Sequence, residues 1–293
     1  MKRRFAVYGI AAVLIAASWI GNFAYNRHYR LPEGRFLTHR IEAMDTPYVA
    51  FDLYYVANKD DKREIAWIRA EGLPSLAFAP AAVYQELNRQ TIYRLSGYYR
   101  SAPEREAALP PLVVREVDVT FRDGGTKRMD VGEIIVYRDD YPPAPGGGPV
   151  TMMSSGGSSD NSGFGSVRAA RPAALTSTTS AWLGELGDAF SYEVNVTGDL
   201  GDIGADGRFD GPPTDRAAYP AQLAEGDAVA TDYRFHLPPG DPHADNVYNV
   251  LLTHRFAEPD GRESPFRLYA HYAPRFSEAQ MKAFVRGEGR ETG

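Results

Sequence analysis

The stretch that most constrains this chain is residues 112–138. Val117, Val119 and Phe121 alternate with Glu116, Asp118, Thr120 and Arg122, the two-residue period of a strand with one buried face. Asp123-Gly124-Gly125 then supplies residues that tolerate the positive φ of a tight turn. Met129 and Val131 carry the return, and Gly132 stands where a bulge would switch faces before Ile134 to Tyr137. A hairpin of this length has an apolar face that other strands must cover. The expectation is a mainly β fold, antiparallel and sandwich-like, with a few short helices.

Further segments agree with that class. Strands are predicted over Tyr48 to Ala57, Glu64 to Arg69, Phe190 to Val196, Ala228 to Leu237, Val247 to Phe256 and Phe266 to Tyr272. Eighteen tyrosines, 14 phenylalanines, 28 glycines and 21 prolines suit strands and turns. Helices are expected at three places. Pro80 to Ser96 has Pro80 for the first turn, Gly97 past the end, and a stripe of Val83, Leu87, Thr91 and Leu95. A short helix is expected near Ala181 to Leu186. A terminal one follows Ser277 through Met281, Phe284 and Val285.

Between the halves, composition changes abruptly. Residues 139–166 are dominated by Gly, Ser and Pro, as in Gly146-Gly147-Gly148-Pro149 and Ser154-Ser155-Gly156-Gly157-Ser158-Ser159. Such a segment buries too little apolar surface to offset its conformational entropy, so it reads as a linker or long loop. The domain scheme is then 1–25 as membrane anchor or uncleaved signal, and 26–46 as stalk. A first β-rich domain spans 47–138, the linker 139–166, and a second β-rich domain with a C-terminal helix 167–293.

The anchor is read from Lys2-Arg3-Arg4 and the uncharged run Phe5 to Ala24. At about 1.5 Å per residue, roughly 20 apolar residues cross a hydrocarbon core. Trp19, Phe23 and Tyr25 stand where interfacial aromatics belong. Ala16-Ala17-Ser18 offers a signal-peptidase site, but Trp19 and Ile20 extend the apolar run beyond it. The expectation is an uncleaved single-pass anchor in the cell membrane through residues 5–24, with the bulk of the chain on the extracytoplasmic side.

Charge and cysteine usage narrow the function. The net charge is −6, and about −9 once Lys2, Arg3 and Arg4 are set aside, which argues against nucleic acid as a partner and against docking flat on anionic lipid. With no cysteine at all, disulfides, thiol nucleophiles and thiolate metal sites are excluded.

Motifs add little. Ser159-Asp160-Asn161 lacks the Ser-x-x-Lys and Lys-Thr-Gly elements that would make it catalytic, and no Gly-x-Ser-x-Gly elbow occurs. No glycine-rich phosphate loop is present, and no cofactor is expected. Two incomplete ligand sets remain. In the acidic loop Asp202, Asp206 and Asp210 fit a calcium loop, but Gly204 and Pro213 occupy two ligand positions. Asp241, His243 and Asp245 share one turn, short of a zinc site without convergent partners such as His236 or His271. No catalytic residue is assigned. The reading is a membrane-anchored, non-enzymatic binding or accessory protein of the cell envelope, acting on a protein partner or envelope polymer. The alternative is an envelope hydrolase using acidic residues with or without a metal.

Overall fold

The computed structural model describes residues 2–46, 51–99, 108–139, 147–204, 206–211 and 218–287, the side chains of 2–12, 24 and 26 excepted. It is mainly β, built from antiparallel and mixed sheets with few helices.

The predicted hairpin is present as strands Leu109–Phe121 and Thr126–Arg138, joined at Asp123-Gly124-Gly125. Its pairing is broken opposite Gly132, where Val114 meets Ile134 but Glu116 meets Asp130. Gly132 has φ +90°, and a Cβ there would lie 2.4 Å from the carbonyl oxygen of His39. The glycine therefore serves both the bulge and the close approach of the neighbouring strand.

That neighbour is His39–Met44, which lies in the segment expected as a stalk. It pairs parallel to Thr126–Arg138 on one side and parallel to Val247–Ala257 on the other. One eight-stranded sheet results, in the order 221–223, 173–179, 247–257, 39–44, 126–138, 109–121 and 65–69, with 263–272 also on 247–257. The sheet is mixed rather than purely antiparallel, and it is continuous across both expected β-rich parts.

Two smaller sheets cover it. Strands 35–36, 52–58, 90–99, 76–78 and 82–86 form one. Leu53, Tyr55 and Leu95 from this sheet share a core with Val117, Val119, Phe121 and Ile134 of the large one. The other runs in the order 150–157, 162–169, 228–235 and 190–197. Its Phe190 and Phe235 pack with Tyr248, Val250 and Leu268, while Val167, Val194 and Val229 pack with Leu175 and Phe256.

Two sequence expectations are corrected here. Residues 80–96 are not a helix but the strands Ala82–Glu86 and Gln90–Tyr99, reversing where Leu87 N–H bonds to the Gln90 carbonyl. The spacing of Val83, Leu87, Thr91 and Leu95 satisfies a helical stripe, but Thr91, Ile92, Tyr93, Tyr98 and Tyr99 are better strand formers, and strand 52–58 offers them a partner. Gly97 is a close-approach residue, since a Cβ there would meet the Phe51 carbonyl at 2.9 Å. In the expected linker, Val150–Gly157 and Ser162–Ala169 form a hairpin, with Ser154 and Ser166 hydroxyls 2.8 Å apart across it. Small side chains let this pair lie against its neighbours. Gly165, for instance, faces Leu268 at a distance that leaves no room for a Cβ. Residues 47–50 and 140–146 lie outside the described residues.

The terminal helix Glu278–Arg286 is as read, with a reciprocal capping box between Ser277 and Gln280 and Gly287 in the left-handed conformation past its end. The short helix is Leu183–Leu186. The N-terminal helix is Lys2–His28. Among the described residues no helix is long and apolar enough to cross a membrane, the side chains of 2–12 being outside that description.

Candidate functional site

Several of the residues singled out for metal are engaged in local structure. Asp202 Oδ2 accepts from the Thr197 hydroxyl at 2.5 Å, and Asp206 Oδ1 accepts from the Arg208 N–H at 3.1 Å. Asp206 and Asp232 both flank the Arg208 guanidinium, at 3.9 and 3.6 Å. Asp210 closes the small loop through its N–H to the Asp202 carbonyl. Asp241 Oδ1 accepts from the His243 N–H at 2.8 Å. Asp245 is half-buried, and burial raises its carboxyl pKa. His236 Nε2 lies 2.8 Å from the Ser191 hydroxyl. Among the described residues no three His, Asp or Glu side chains converge as a metal would require.

His243 does belong to a cluster that the sequence does not reveal. Its Nδ1 is 2.9 Å from the Tyr248 hydroxyl, which reaches Glu185 Oε1 at 3.4 Å, and Glu185 pairs with Arg40 at 3.0 Å. Arg40 in turn lies over the Trp182 ring. Tyr248 is fully buried, and desolvation pushes its phenol up to about 12, so it stays neutral and serves as a hydrogen-bond relay.

Two buried histidines bridge strands in the same neutral way. His39 Nδ1 faces the Val131 carbonyl at 2.8 Å and so carries the proton, while Nε2 accepts from the Tyr54 N–H at 2.9 Å. His254 Nδ1 lies 2.8 Å from Thr178 Oγ1, and its Nε2 lies 3.2 Å from Thr231 Oγ1 in the facing sheet. Burial lowers both imidazoles to about 4. These groups hold sheets together and present no reactive atom to solvent.

Two concavities stand out among the described residues. The larger, about 1250 Å³, is an open groove along Leu31 to Thr38 and the outer side of the long hairpin. Three of its six cations are paired with its own acids, Arg115 with Glu133 at 2.6 Å, Arg128 with Glu116 at 2.8 Å and Lys127 with Glu33. The smaller, about 560 Å³, sits at the foot of the N-terminal helix. It gathers Arg27, Arg30, Lys59 and Arg89 around a single carboxylate, Asp60, with Phe23 at its edge. Its floor is rigid. Asn58 accepts from the Leu31 N–H at 3.0 Å and donates to the Leu31 carbonyl at 2.9 Å, and Gln90 donates to the Tyr29 carbonyl at 2.9 Å. Both amides are almost fully buried. The foot pocket thus carries the larger excess of positive charge of the two, set on a rigid floor.

Comparison with known proteins adds no identity. No family model matches the chain, and no curated protein does. A crystal structure of a protein of unknown function from Porphyromonas gingivalis W83 is similar over 82% of this chain and 99% of that one, at 11% identity and a TM-score of 0.24. A likeness that slight bears on neither fold nor function.

Proposed function

We propose that this chain is a membrane-anchored extracytoplasmic protein of the cell envelope, non-enzymatic, whose sandwich-like β body binds a protein partner or an envelope polymer. One observation carries the anchor. Val13, Leu14, Ile15, Trp19, Ile20 and Phe23 project from the N-terminal helix with exposures from 61% at Ile15 to 76% at Trp19. None of them enters any of the four core clusters, which the β body completes for itself. Each large apolar side chain left in water forfeits about 1.5–3 kcal/mol relative to burial, so a lipid phase is the environment such a stripe fits. Binding is favoured over hydrolysis because the buried His39, Glu42 and His254 are taken up in contacts between strands.

The chain's lack of cysteine makes the test simple. A single Ser158→Cys substitution, in the exposed turn between strands 150–157 and 162–169, provides one thiol on the body. In intact cells it should react with a membrane-impermeant maleimide, and the protein should stay in the membrane pellet after carbonate washing with residues 1–25 present by mass spectrometry. Release by carbonate, or a mature chain beginning at Trp19 or later, would overturn the anchor. Labelling only after the cells are opened would overturn the topology.

A further inference from the structure

The geometry points to the foot pocket as a binding site for the phosphodiester headgroup of an anionic phospholipid. The inference deepens the membrane reading above and rests on it.

Position comes first. Phe23 is the last large apolar residue of the helical run, and Arg27 follows one helical turn later, about 6 Å along the axis. The headgroup layer on one side of a bilayer is about that thick. If the run occupies hydrocarbon, the pocket opens at headgroup depth.

Charge comes second. Four cations face one carboxylate, and two of the four are uncommitted. Arg30 is paired with Asp60 at 2.5 Å, and Lys59 reaches Glu86 only at 3.4 Å with both side chains exposed. Arg27 pairs with no carboxylate among the described residues. Arg89 lies over the Tyr25 ring at 4.8 Å, and its Nη1 is buried without any hydrogen-bond partner. A buried guanidinium nitrogen lacking an acceptor is costly, and Arg89 also lines the pocket, where a phosphate would pair with its charge. The rest of the chain is acidic, so this local excess is not a general property of the surface.

Preorganisation comes third. Lys59 N–H bonds to the Arg89 carbonyl at 2.8 Å, which fixes these two residues side by side. Tyr25 and Tyr29 pack edge to face at 4.8 Å, and Lys282 and Arg286 of the terminal helix cover the Tyr29 ring. A ligand therefore meets a floor that is already ordered, with the exposed Arg27, Arg30 and Lys59 side chains left to close on it.

Native mass spectrometry of the full chain in detergent, after exchange into mixed micelles of phosphatidylglycerol and phosphatidylcholine, tests the assignment. The chain should retain one phosphatidylglycerol in preference to phosphatidylcholine. Arg27→Gln with Arg89→Gln should reduce that preference about thirtyfold, at roughly 1 kcal/mol for each basic residue at an anionic surface. Arg115→Gln with Arg128→Gln, both ion-paired in the larger groove, should leave it unchanged. Equal retention of the two lipids, or a preference untouched by the foot-pocket pair, would overturn the site. Displacement of the lipid by millimolar inorganic phosphate would assign the pocket to a free anion and overturn the lipid reading. Carbonate washing of the cell membranes before solubilisation separates the two proposals, because a chain that stays in the membrane but shows no lipid preference refutes only the headgroup site.

Discussion

Glu42 Oε2 accepts a hydrogen bond from the backbone N–H of Leu251 at 3.0 Å, across 209 residues of sequence. The contact lies at a seam. Strand 247–257 pairs through Val247 to Asn249 with strand 39–44, and through Thr253 to Ala257 with strand 173–179, leaving Leu251 between the two. Glu42 fills that gap. Its two oxygens also take the Tyr137 hydroxyl at 2.7 Å, the Ala181 N–H at 3.1 Å and the Ser180 hydroxyl. The side chain is 1% exposed, and the Leu251 N–H that it holds is buried with it.

Glu42→Ala should therefore destabilise the fold by about 3 kcal/mol, since it leaves the buried Leu251 N–H without an acceptor and breaks three further hydrogen bonds to a charged group. Glu33→Gln, which removes an exposed ion pair, should cost less than about 1 kcal/mol. Urea unfolding of the two variants against the parent measures the difference. Similar small losses in both would mean that water replaces the carboxyl at the seam.

Stability should fall in mild acid. His39 and His254 titrate near 6.5 when unfolded but near 4 in the fold, so between those values the unfolded chain binds more protons. The sign follows: the contribution is complete above about pH 6.5 and is lost as pH drops toward 4. Each histidine is worth up to about 3 kcal/mol across that window. Denaturant midpoints at pH 7.5, 6 and 5 should decline, and His254→Gln should flatten the trend. A pH-independent midpoint would show that neither imidazole is neutral and buried in solution.

Two glycines of like φ should respond differently to alanine. At Gly132 the new Cβ meets the His39 backbone, whereas at Gly124 (φ +84°) nothing lies within 4 Å. Gly124→Ala should cost about 1 kcal/mol from backbone strain alone, and Gly132→Ala about 3 kcal/mol or more because a neighbouring strand must also move. Thermal melts decide this, and equal costs would remove the close-approach argument.

Zinc should leave the melting temperature unchanged, and calcium should move it slightly at most. A ligand at a hundred times its dissociation constant stabilises by about 2.7 kcal/mol, which a melt detects readily. Asp202, Asp206, Asp241 and His243 already serve local hydrogen bonds, so no complete ligand set is free to bind. A large zinc-dependent rise, abolished by His243→Ala, would promote the hydrolase reading.

Amides of residues 163–168 should exchange slowly with deuterium, because this strand is paired on both sides from Gly163 to Arg168. The outer strand 150–157 should exchange faster. Complete exchange of both within seconds would restore the linker expected from composition.

What the sequence determined by itself is local. The hairpin at 109–138 is written in alternation and in a turn of Asp and Gly, and the terminal helix in Ser277, Gln280 and Gly287, all within a few residues of the backbone they direct. Strand 247–257 was likewise legible from its own apolar run. The tertiary structure decided everything that depends on a distant partner. Residues 39–44 read as polar stalk because a short strand buried by two parallel neighbours needs no alternation of its own, and its partners lie far away in sequence. Residues 82–99 have a pattern that fits either period, and strand 52–58 settled the matter by offering hydrogen bonds. The foot pocket is of the same kind. Arg27, Lys59 and Arg89 are unremarkable singly, and only the packing of the helix end on Asn58 and Gln90 brings their charges together. Local signals survive in one dimension because their physics acts over one turn or one strand, whereas sheet seams and charge clusters arise from contacts that chain order does not encode.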